Sequence, residues 1–309
     1  MDRHCIHVEG LTKTYGDLTA VDGISFDVHR GEILGILGPN GSGKTTTLKS
    51  ILGLIYFDEG TVTVENMDIR TRRKDILRKT GAVLEGARNI YWYLSPRENL
   101  SYFAGIRGIS RSVGRKRSEQ LLESLGLSDV SDKPIREFSS GMKQKCSLAC
   151  AFVHDPDILL LDEPTLGLDV EVGLSIRNWL RETVSGGNRT ILITSHDMAF
   201  MESICDRILI IRRGEIISHE TVDSLKRKFS RTCLQLTLDE APSPKLLEEL
   251  GRACGLSLDG ATLTMDLPSP DSLLEVLQAV RDGGRSISAF RTVESSLEDI
   301  FLDLIREER

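Results

Sequence analysis

Eight consecutive residues, Gly38-Pro39-Asn40-Gly41-Ser42-Gly43-Lys44-Thr45, fit the pattern GxxxxGK[ST]. Such a run binds phosphate: its glycines let backbone N–H groups converge on phosphate oxygens, and a helix starting there adds the positive end of its dipole. Lys44 is the candidate to reach the β and γ phosphates. Thr45 offers a hydroxyl to Mg²⁺, which takes a small octahedral shell of oxygens, and its neighbour Thr46 is the candidate for the α phosphate. Standing alone, the run also fits a glycine-rich turn that happens to carry Lys-Thr.

A second set of groups lies in Asp157-Ile158-Leu159-Leu160-Leu161-Asp162-Glu163-Pro164, an apolar run that ends in two carboxylates. α/β folds place ligands at the C-terminal ends of their strands. There Asp162 would support Mg²⁺, directly or through water. Glu163 would hold and polarise the attacking water, since phosphoryl transfer asks a protein mainly for positioning and electrostatics. The plainer reading is a strand that terminates in solvated charges.

Those groups need strands to carry them. Ile33 to Leu37, Ile158 to Leu161 and Ile191 to Thr194 are nearly continuous apolar runs, as expected of parallel strands buried on both faces. Leu48, Ile51, Leu52 and Ile55 follow the first run at helical spacing, so strand, loop and helix alternate and the fold class is α/β. Thr19 to Val28 and Thr61 to Val64 alternate apolar with polar residues, which predicts a half-exposed antiparallel β subdomain. From about Ser95 to Gly126 the pattern turns helical, with Leu121, Leu122 and Leu125 as a stripe; a helical subdomain is placed at about residues 86–150. After Arg231 the order β-α-β-β-α-β suggests a ferredoxin-like split βαβ unit, with a turn at Asp259-Gly260 and a last amphipathic helix through Leu297, Ile300, Phe301 and Leu304. The expected division is residues 1–228 and 229–309.

At 309 residues, 40% hydrophobic and 28% charged, the chain can bury a large core without staples. Its net charge of -7 argues against a general nucleic-acid binder, and the basic cluster Arg70 to Lys79 is too short to reverse that. The six cysteines form no CxxC pair or metal-like spacing and read as reduced thiols. No apolar stretch is long enough to cross a bilayer, so the expectation is a cytoplasmic protein.

Many ATPases share the first two elements; Phe138-Ser139-Ser140-Gly141-Met142-Lys143-Gln144-Lys145 narrows the field, since it resembles the LSGGQ signature of the ATP-binding-cassette (ABC) family. Leu166-Gly167-Leu168-Asp169 is similar to that family's D-loop, and Thr194-Ser195-His196 to its switch histidine. The resemblance, in order from about His4 to Glu220, implies a P-loop cassette that binds ATP and Mg²⁺ and hydrolyses ATP with Lys44, Glu163 and His196. It implies that Tyr15 stacks on adenine, and that Ser139 and Gly141 meet the γ phosphate held by a second copy, with Asp169 at the dimer contact. Homodimer and cassette heterodimer both satisfy that scheme. Ser140 departs from the signature, and a Ser139 N-cap on an ordinary helix is the alternative reading there. Where the family has glutamine, Val83-Leu84-Glu85-Gly86 carries Glu85, whose carboxylate is a further candidate for the metal or water.

Ser296-Leu297-Glu298-Asp299-Ile300-Phe301-Leu302 resembles the SLEDxFL ending of ATPases that pair with ABC-2-type permeases, of the daunorubicin-resistance kind. Leu84 to Asn89 resembles a variant within that group. The likeness implies an integral membrane permease as partner, export as the direction and a peripheral place on the inner face of the membrane. The aromatic run Ile90-Tyr91-Trp92-Tyr93-Leu94 is the candidate permease contact, with internal packing as the alternative. A non-transport cassette acting on ribosomes or DNA would share the hydrolytic core, but such proteins commonly carry two cassettes or a coiled-coil or zinc insertion.

Overall fold

The structure, a computed structural model, describes residues 4–85, 89–186, 189–229, 232–243, 246–247, 250, 256–267, 272–294, 297–298 and 300–301. Contacts divide the chain into two compact units, Met1–Val222 and Asp223–Arg309.

The first unit is built on a six-stranded sheet. β3 (Ile33–Leu37), β6 (Thr80–Val83), β7 (Ile158–Asp162), β8 (Thr190–Ser195) and β9 (Arg207–Arg212) run parallel, and β10 (Glu215–Thr221) adds antiparallel to β9 at the edge. The order is β10-β9-β3-β8-β7-β6. Every residue of β3, β7 and β8 is buried, as continuous apolar runs require of strands covered on both faces. β3 and β7 do not neighbour each other; β8 lies between them and carries Thr194 and Ser195 to the same end of the sheet.

A second, antiparallel sheet has the order β2-β1-β4-β5, from β1 (His4–Tyr15), β2 (Leu18–His29), β4 (Glu59–Val64) and β5 (Met67–Asp68). Helix α1 (Lys44–Ile51) contacts β2 and β4 of this sheet and β7 and β8 of the parallel one. Its fully buried Leu48 and Ile51 join Val8, Leu11, Val62, Leu34 and Leu160 in one core. Burial of such a side chain stabilises by roughly 1.5–3 kcal/mol, so α1 is fixed from both layers. Ile55, read from spacing as part of this helix, lies beyond it. Gly53 at φ +62° ends the helix: its N–H reaches the Ser50 carbonyl and that of Leu54 reaches Lys49, both at 2.9 Å.

Three helices, α3 (Pro96–Ile106), α4 (Arg111–Ser124) and α5 (Ser140–Phe152), pack together as the helical subdomain. Ser95 starts α3 with a capping box, accepting from the Glu98 N–H while Glu98 returns to the Ser95 N–H, and Pro96 follows at the first helical position. The stripe Leu121, Leu122 and Leu125 is buried, as its spacing predicts.

The second unit has a sheet of β11 (Thr232–Leu238), β12 (Ser257–Asp259), β13 (Thr262–Leu267) and β14 (Ile287–Glu294) in the order β12-β13-β11-β14, antiparallel throughout. That is the order a split βαβ unit produces. Leu234, Leu236, Leu263 and Met265 pack against Leu246 and Leu250 and against Val276 and Val280 of helix α9 (Ser272–Asp282). Of the terminal stretch, Leu297, Ile300 and Phe301 are buried; Ser296, Asp299, Leu302 and Leu304 lie outside the described residues.

Candidate functional site

The phosphate run joins the end of β3 to the start of α1, and two of its glycines are dictated by space. A Cβ on Gly38 would lie 2.2 Å from the Ile211 carbonyl oxygen, and one on Gly43, at φ +108°, 2.4 Å from that of Ala20. Only glycine lets the chain thread there. The Ser42 hydroxyl is buried with no hydrogen-bond partner among the described residues, a donor held ready inside the loop. Lys44 is buried too; its ammonium donates to the Gly38 carbonyl at 2.7 Å and the Pro39 carbonyl at 3.2 Å.

Asp162 closes β7 almost without exposure. Its Oδ1 accepts from the Thr45 hydroxyl at 3.0 Å and the Thr194 hydroxyl at 2.6 Å, while Oδ2 is buried and has no hydrogen-bond partner among the described residues. A carboxylate oxygen left without a donor beside a threonine hydroxyl is costly alone and suited to a hard divalent cation. The residues present therefore fit Mg²⁺.

Glu163 sits next in line with left-handed backbone, φ +48°, its N–H held by the Thr194 carbonyl at 3.0 Å. That conformation is uncommon for a residue with a side chain. Here it turns the carboxylate away from β7, so that Oε2 accepts from the Ser195 hydroxyl at 3.2 Å and pairs with His196 Nδ1 at 3.0 Å. Oε1 stands 3.6 Å from the Lys44 ammonium. The pairing gives His196 a proton on Nδ1 and leaves Nε2 of this exposed ring free of that bond.

A cleft of about 500 Å³ brings these groups together, lined by Asn40 to Thr46, Glu163 and His196 with Tyr15, Leu18 and Glu85 at its sides. Tyr15 is half exposed, and the Lys13 ammonium lies 5.2 Å from its ring centroid. Glu85 is exposed; of the variant motif that follows it, Gly86, Ala87 and Arg88 lie outside the described residues.

Ser139, Gly141 and Asp169 do not line this cleft. Ser139 caps α5, accepting from the Met142 N–H at 3.3 Å, and Asp169 caps α6 (Val170–Ser185), accepting from the Val172 N–H at 2.9 Å. The two helix starts touch: a Cβ on Gly141 would lie 2.8 Å from Val172 Cγ1. Two contributors are hidden in the sequence: Thr194 and Ser195 stand there only as neighbours of His196, although a hydroxyl pair ending a buried strand is a signal.

The sequence matches the family described as ABC transporter over residues 21–166, and the one described as ATP-binding protein DrrA1-3-like, C-terminal domain, over residues 221–305. It is 32% identical over 308 residues to the linearmycin resistance ATP-binding protein LnrL of Bacillus subtilis (strain 168), covering 97% of each chain. The chain belongs to the ATP-binding proteins of ABC transporters. It is also 32% identical over 304 residues to the daunorubicin/doxorubicin resistance ATP-binding protein DrrA of Streptomyces peucetius, covering 97% of this chain and 92% of that one. Among solved structures, the cassette MJ0796, a dimer in a post-hydrolysis state with ADP and Pi, superposes with a TM-score of 0.65 at 26% identity over 70% of this chain and 98% of that one. As an ABC transporter ATP-binding protein the chain is an ATPase whose hydrolysis is coupled to transmembrane transport. None of its described helices is long and apolar enough to cross a membrane.

Proposed function

We propose that this cassette hydrolyses Mg²⁺-ATP with Glu163 as the base that orients the attacking water, and that it drives export through a separate ABC-2-type permease. The observation that carries the reading is the placement of one carboxylate between the Lys44 ammonium and the His196 ring, at the strand end beside the phosphate loop. Gly38 to Thr46 would cradle the phosphates, with Lys44 exchanging its loop carbonyls for phosphate oxygens. Tyr15 would stack on the adenine. Thr45 and Asp162 would hold Mg²⁺, with Glu85 as a further oxygen donor from the cleft wall, and the ion would neutralise developing phosphate charge.

Ser139, Gly141 and Asp169 lie outside the chain's own cleft, which supports their use on a second chain's ATP in a homodimer or a cassette heterodimer. Closure on ATP and opening after hydrolysis would work the permease. Tyr91, Trp92 and Tyr93 support a permease contact, since they are 49%, 51% and 82% exposed while Ile90 beside them is buried. The substrate would be of the drug, antibiotic, lipid or polysaccharide class; the likeness to the linearmycin and daunorubicin/doxorubicin resistance proteins favours an antibiotic among these, and export over the ribosome- or DNA-acting alternative. The protein would then sit on the inner face of the membrane through its permease. The C-terminal unit, read as ferredoxin-like, would support the dimer.

Glu163→Gln tests the proposal. It should slow ATP hydrolysis about 100-fold or more while ATP binding persists, and size-exclusion chromatography with ATP should show a stable dimer. Turnover within a few-fold of the parent would refute the assignment.

A further inference from the structure

We infer that Asp58 is a positioning residue for nucleotide binding: its carboxylate straps down the end of β1 and thereby sets the Tyr15 ring. The inference rests on the reading that Tyr15 stacks on the base.

β1 and β4 pair as far as Thr12 opposite Glu59, and there the ladder stops. The Asp58 N–H still reaches the Thr12 carbonyl at 2.9 Å, but the chain then turns away and leaves the Thr14 N–H without a backbone acceptor from β4. The Asp58 side chain takes the place of the missing strand. Its Oδ2 accepts from the Thr14 N–H at 2.7 Å and from the Thr14 hydroxyl at 2.8 Å. Its Oδ1 accepts from the Lys13 ammonium at 3.0 Å, the same ammonium that lies over the Tyr15 ring.

Bonds from a backbone N–H and an ammonium to a carboxylate are short and directional. Led by the Thr14 N–H, with Lys13 next, they hold the Asp58 carboxyl down at about 2, so it stays ionised through the neutral range. The strap therefore fixes both residues that precede Tyr15. It also parks a cation on one face of the ring, which directs a base to the other. The β2 side does not hold this end by itself, since the register of β1 against β2 shifts on both sides of Lys13, from Leu11 to Lys13 and again from Lys13 to Thr14. Sequence distance hides the arrangement: Asp58 and Thr14 are 44 positions apart.

The test compares Asp58→Ala, Asp58→Asn and Tyr15→Ala in the full chain, reading KM for ATP, kcat, and inhibition by inorganic tripolyphosphate, which has phosphates and no base. Asp58→Ala should raise KM roughly three- to ten-fold, the range of one aromatic stacking contact. Its kcat and its tripolyphosphate inhibition should stay within two-fold. Asp58→Asn, which can still accept from the Thr14 N–H, should recover much of the loss. Adding Asp58→Ala to Tyr15→Ala should raise KM no further, since the strap acts through the ring. If Tyr15→Ala raises KM and Asp58→Ala does not, the strap is wrong and the stacking reading stands. If Tyr15→Ala itself leaves KM unchanged, the stacking reading fails. A parallel loss of tripolyphosphate inhibition in Asp58→Ala would mean a general disturbance of the loop and would also overturn the inference.

Discussion

At the scale of single residues, the chemistry is concentrated where a strand end forces unusual geometry. Glu163 adopts positive φ because two bonds pin its N–H to Thr194, one to the carbonyl and one to the hydroxyl at 3.3 Å. Thr194 is fully buried and also donates to Asp162 at 2.6 Å. It thus orients both carboxylates without lining the cleft. Thr194→Val should destabilise the fold by about 2 kcal/mol, the scale of a buried hydrogen bond to a charged group, and should raise the Mg²⁺ concentration needed for half-maximal ATPase. A urea unfolding curve and a Mg²⁺ titration read the two effects. The phosphate run and the paired carboxylates were legible from residue order alone, because their chemistry constrains consecutive positions. Thr194 and Asp58 were not, because each works by reaching a group that only the folded topology brings near.

At the scale of elements, apolar runs gave β3, β7 and β8 cleanly, since strands buried on both faces cannot hide their composition. β6 escaped, as Thr80-Gly81-Ala82-Val83 is only four residues long and its two central positions are glycine and alanine; its glycine is required by the Ala151 carbonyl, 2.4 Å from where a Cβ would stand. The helical subdomain was legible by stripe, whereas the bonds that hold the aromatic segment to it were not. The buried Asn99 on α3 accepts from the Tyr91 N–H at 2.8 Å and donates to the Tyr91 and Ser95 carbonyls, both at 3.0 Å. One amide therefore fastens the exposed aromatic run to the helix. Asn99→Ala should cost about 2–3 kcal/mol through backbone groups left unpaired. It should also red-shift and broaden the emission of Trp92, measured in a Trp179→Phe background so that one tryptophan reports.

At the scale of the whole molecule, stability should fall on mild acidification because two histidines are buried in the folded chain. Burial, helped by the Arg107 cation, pushes His154 down to about 4; burial, helped by the Arg207 cation, does the same to His219. In the unfolded chain both titrate near about 6.5. Above that value neither form binds the proton and the histidines are neutral to stability. As pH falls from about 6.5 toward 4, the unfolded chain takes up protons that the folded one refuses, so stability drops, and below about 4 the loss levels off. The melting temperature should decline across that window, and His154→Gln with His219→Gln should flatten the decline. Parallel profiles for parent and variants would contradict it.

The closeness of Gly141 to Val172 has a genetic corollary. A methyl added at Gly141 collides inside its own chain before it meets any neighbour, so loss of activity in Gly141→Ala says nothing by itself about contact across a dimer. Trimming the opposing valine separates the two: if internal crowding is the whole defect, Val172→Ala should act as a second-site suppressor and restore ATPase to Gly141→Ala. A double variant that folds, dimerises and still fails to turn over would assign the glycine to the neighbour's nucleotide.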